Sequence, residues 1–64
     1  MEVKDASTIM KIAFAVISLF SFNDMQKNEI NSYVKDNMYT WISQRKHENE
    51  VEAMIKSEAS RISR

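Results

Sequence analysis

Not one of the 64 residues is glycine or proline. Tight β-hairpins need positive backbone φ at their central positions, which glycine adopts freely, so a chain without it has few ways to turn one strand back on another. Walker-type and dinucleotide-binding loops are excluded for a related reason, since their backbone must approach phosphate closely. Helices meet no such obstacle. Asn, Asp and Ser cap and join them, and the chain carries five, three and eight of these. The expected class is all-α: two to three helices over about residues 5–21, 24–43 and 49–63, forming a helical hairpin or small bundle completed by oligomerisation.

Residues 1–4 read as a frayed lead-in to a single domain over residues 1–64. Asp5 or Ser7 then offers a side-chain oxygen to the first free amides of a helix. From Ile9 to Phe22 the only charge is Lys11, so this first helix lacks a polar face and needs cover all round. Two capping patterns compete for the start of the second helix. With Ser21 as cap, Asp24 takes the third helical position while Phe20 and Met25 form a hydrophobic staple; with Asn23 as cap, Gln26 completes a capping box. Ile30, Tyr33, Val34, Met38, Trp41 and Ile42 follow at three-and-four spacing. Ser43 to Glu50 is wholly polar, which marks a break or a bare solvated stretch. Asn49 with Glu52 suggests a third cap, and Val51, Met54, Ile55, Ala59 and Ile62 supply a narrow apolar stripe behind it.

Nine basic and nine acidic side chains cancel, so no overall field draws the chain to phosphate or anionic lipid. The apolar run is 14 residues long and holds Lys11, whereas a spanning helix needs ~20. It lacks the cationic start and small-residue cleavage site of an export signal, and the basic polar face of a helix that lies on a bilayer. A membrane role is not favoured and a cytoplasmic location is expected. Two shorter amphipathic helices cannot surround a fully apolar rod, so the residues expected to meet a second copy, as a homodimer, are Ile9, Ile12, Phe14, Val16, Ile17 and Phe20.

Catalytic chemistry finds little material. Cysteine is absent, no cofactor is implied, and the one histidine, His47, sits in the most polar segment. His47, Glu48 and Glu50 lack the second histidine one turn on that a zinc-binding helix shows, so neither a metal site nor an enzyme is expected. Glu29 to Ile42 has apolar spacing that a helix-turn-helix could use, with Gln44, Arg45 and Lys46 reaching toward DNA. Lys35, however, stands where the turn glycine is usual, and nucleic acid is not favoured. Met25, Tyr39 and Trp41 are the candidate contacts for another protein, since aromatic and methionine side chains dominate adaptable interfaces. The expected function is that of a small regulator which binds another protein stoichiometrically, as inhibitor or antagonist of a transcription regulator for example; the alternative is a dimeric DNA-binding regulator.

Overall fold

The computed structural model describes all residues from Met1 to Arg64. Three helices, α1 (Ala6–Ser18), α2 (Asp24–Ser43) and α3 (Glu48–Ile62), pack pairwise into a small bundle. The Cα radius of gyration is 11.0 Å, close to the ~10.7 Å expected of a compact chain of this length. Each helix buries three residues on one stripe: Ile9, Ala13 and Val16 from α1, Ile30, Val34 and Trp41 from α2, and Val51, Ile55 and Ala59 from α3. Val3 and Phe22 close the core from the connecting segments, and no buried side chain is polar.

Local chemistry sets the first two helix starts. Asp5 caps α1, its carboxylate accepting from the Thr8 amide at 2.8 Å and from the Thr8 hydroxyl at 2.9 Å. Of the two patterns that compete before α2, the Asn23 capping box forms: Asn23 accepts from the Gln26 amide at 2.9 Å and Gln26 accepts from the Asn23 amide at 3.0 Å. The Ser21 alternative, with its staple, is not adopted. Phe20 instead stacks on Phe22, ring centroids 5.0 Å apart, and Met25 is left exposed.

Helix α2 ends in a six-residue turn that glycine normally makes. Lys46 N–H donates to Trp41 O and Arg45 N–H to Ile42 O, the paired bonds of a Schellman motif, with Arg45 at φ 55° in the glycine position. The break expected within Ser43–Glu50 therefore falls at residues 44–47, between α2 and α3.

Two expectations are corrected here. Residues 1–4 do not fray: Val3 is 2% exposed, its N–H donates to Lys46 O at 2.8 Å, and Glu2 bridges to His47. Burial of one apolar side chain and two main-chain hydrogen bonds fasten the segment. The cap of α3 is not Asn49, which lies inside the first turn. The helix begins at Glu48, whose N–H donates to the carbonyl of Met1 at 2.7 Å, while His47 makes no side-chain cap. A remote main-chain oxygen occupies the place a local side chain was expected to take.

Candidate functional site

The residues singled out in the sequence divide sharply once placed. Of the six assigned to a contact between copies, Ile9 and Val16 are fully buried within their own chain and unavailable to a partner. Helices α2 and α3 cover the inward stripe of α1, so a second copy is not needed to shield it. Ile12, Ile17 and Phe20 are half-buried against the core, and Phe14 is 73% exposed. Among the three candidate protein contacts, Trp41 is a core residue, 3% exposed, its ring meeting Tyr33 edge-on at 5.8 Å. Met25 and Tyr39 do stand in solvent. They sit fourteen positions apart on α2, about 21 Å along its axis, so they do not form one patch.

Glu29 to Ile42, whose apolar spacing a helix-turn-helix could use, is uninterrupted α2. Gln44, Arg45 and Lys46 lie in the turn that follows. Lys46 is drawn to Glu50 at 3.7 Å, and the next helix opens with Glu48 and Glu50. Carboxylates thus stand where a DNA-reading helix would present its first turn. No three His, Asp or Glu side chains gather in a way that would hold a metal ion, and no helix is long and apolar enough to cross a membrane.

Two depressions flank α2, and they differ in kind. Between α2 and α3 lies an open, polar cleft of about 430 Å³ bordered by Glu29, Tyr33, Asp36, Glu58 and Arg61. Arg61 donates to Glu58 through Nε at 3.0 Å and Nη2 at 2.6 Å. That fork holds the Glu58 carboxyl below the ordinary carboxylate range and raises the Arg61 guanidinium further. Partial burial, with the Glu58 charge nearby, raises the Tyr33 phenol. The cleft's one cation is thus already taken.

Between α1 and α2 lies a narrower and more enclosed groove of about 180 Å³. Its lining is Met10, Ala13, Phe14 and Ile17 from α1, facing Lys27 and Asn31 from α2. The i, i+4, i+7 spacing of Met10, Phe14 and Ile17 explains the shared face, since one helical turn brings each beside the next. Lys27 is the only charge, and it takes part in none of the chain's three ion pairs. Asp24, one turn before it on the same helix, stays beyond 4 Å, outside ion-pair distance. On the far side of α1, Lys11 shares a more open groove with the carboxylates Glu48 and Glu52, without an ion pair to either. Covering the rest of Phe14 would contribute about 2 kcal/mol, taking ~3 kcal/mol for a whole buried phenylalanine.

The sequence reading groups Phe14 with Ile17, which lines the same groove, and with Ile9 and Val16, which lie in the core. Met10 and Lys27 were missed as its neighbours, although Met10 lies four residues before Phe14 and that spacing was readable. Nothing in the sequence set Lys27 across from them. No family model, curated protein or solved structure matches this chain.

Proposed function

We propose that this is a small, non-enzymatic regulatory protein that acts by binding another protein stoichiometrically, with the α1–α2 groove and its exposed Phe14 as the contact. The observation that carries the reading is the groove itself: three apolar α1 side chains beside one unpaired lysine, with a large aromatic ring left in water at the rim. Exposed aromatics beside an apolar depression are the usual anchors of protein interfaces. A chain of this size changes a larger protein's behaviour by occupying a surface, so the action we infer is that of an inhibitor or antagonist in the cytoplasm. A DNA-binding or transcription-regulating target falls within that class.

The reading of the chain as a homodimer now rests on Phe14, Ile12, Ile17 and Phe20 alone, because Ile9 and Val16 belong to the core. A photoreactive phenylalanine analogue placed at residue 14 tests the assignment in the cells of origin. A single adduct of discrete mass, absent when the analogue replaces Lys56 on α3, is the expected result. Equal labelling from both positions, or no discrete adduct, rejects the groove as the contact.

A further inference from the structure

Resting on that reading, we infer that the groove's occupant is an amphipathic helix of a partner protein, presenting a bulky apolar side chain with a carboxylate one turn away. Three observations select it. The groove, about 180 Å³, is smaller than the ~300–1,000 Å³ of sites that enclose a small ligand, and suits one or two inserted side chains. It lies between two helices in a fold with no sheet edge, so an added strand has nothing to pair with, and its single aromatic, Phe14, is not the aromatic-lined slot of a polyproline site; a helix laid in the groove suits it better. Its charge is one-sided: Lys27 lines it, no carboxylate does, and no acidic side chain pairs with that ammonium. The complement is an apolar anchor on the floor of Met10, Ala13 and Ile17 with an Asp or Glu three or four positions away, reaching Lys27 across the rim.

Other occupants fit less well. An anionic bilayer calls for a basic face, and Lys27 is the one cation of the groove. A second copy offers exposed Tyr39 with Asp36 one turn before it. A groove on one copy receiving α2 of the next is a head-to-tail contact, however, and grows without limit unless it closes into a ring.

The test selects a display library of helical peptides about 18 residues long, enough to form stable helices, against the full chain and against its Lys27→Glu variant. Peptides that carry Asp or Glu three or four positions from Phe, Leu or Trp are expected from the native chain, and Lys or Arg in that place from Lys27→Glu. Phe14→Ala, checked for native helicity by circular dichroism, is expected to weaken the selected acidic peptides at least ~10-fold. Peptides enriched without charge bias, yet dependent on Phe14, would overturn the acidic helix while leaving the groove a protein contact. Enrichment of nothing that depends on Phe14 would overturn both. Two controls name the competing occupants: a concentration-dependent oligomer in sedimentation that Phe14→Ala abolishes, or flotation with phosphatidylglycerol vesicles that Phe14→Ala abolishes. Either result overturns the proposal.

Discussion

The two sides of α2 handle charge in opposite ways. Toward α3, Arg61 and Glu58 pair with each other within a wide polar cleft, whose other charges, Glu29 and Asp36, are both acidic and make no ion pair. Toward α1, an apolar floor ends at an ammonium that nothing in the chain answers. Surface ion pairs contribute little to folding, so this difference bears on recognition more than on stability. A group left unmatched in the free protein is the one whose energy a partner can gain.

The harshest way to break the comparison is to remove the wall both depressions share. Ile30→Ala deletes a fully buried side chain of α2 and is expected to cost about 2–5 kcal/mol, enough to threaten a domain this small. Urea denaturation measures it, and a loss below ~1 kcal/mol would mean that α2 is not the common support. Asn23→Ala removes the capping box and is expected to cost about 1 kcal/mol, with amide exchange at Gln26 accelerating first. Arg45→Gly relieves a left-handed residue in the α2–α3 turn and should gain about 0.5–1 kcal/mol without changing peptide binding. If it weakens binding, the groove is not the only contact.

Phe14→Ala changes an exposed side chain and is expected to move stability by no more than about 0.5 kcal/mol, in contrast to its effect on binding. The smallest effect is in the pH profile. Glu58 is held below its ordinary range by the hydrogen bond from Arg61, and Asp5 by the amide and then the hydroxyl of Thr8. Folded values below the unfolded ones mean stability that is present above about pH 4 and lost as pH falls through the folded values. Glu58→Gln should flatten that acid limb slightly. Lys27→Met should leave it unchanged, since the groove has no carboxylate, and a shifted limb would show that Lys27 is paired in solution.

How much of this was legible in the sequence follows from where each signal resides. The all-helical class, the break after Ser43 and the box at Asn23 and Gln26 depend on residues within a turn of one another, and all are present. The start of α3 was misplaced because its partner is the Met1 carbonyl, which leaves no mark on the residues around Glu48. Val3 carried a faint mark, one apolar residue between two charged ones, a period-two pattern too short to weigh against the usual loosening of chain ends. Helix α1 is apolar on every face of its run, and the run does not say which face its own chain covers. The missing information was the reach of α2 and α3 over Ile9, Ala13 and Val16, a matter of how three rods cross, which no single helix pattern encodes.

The seam between Met1–Val3 and the Lys46–Glu48 corner carries a practical consequence. Any extension fused ahead of Met1 must leave that carbonyl free to reach Glu48 and that valine free to seat in the interior. Affinity handles and fluorophores are therefore better attached beyond Arg64, where Ser63 and Arg64 lie open to solvent.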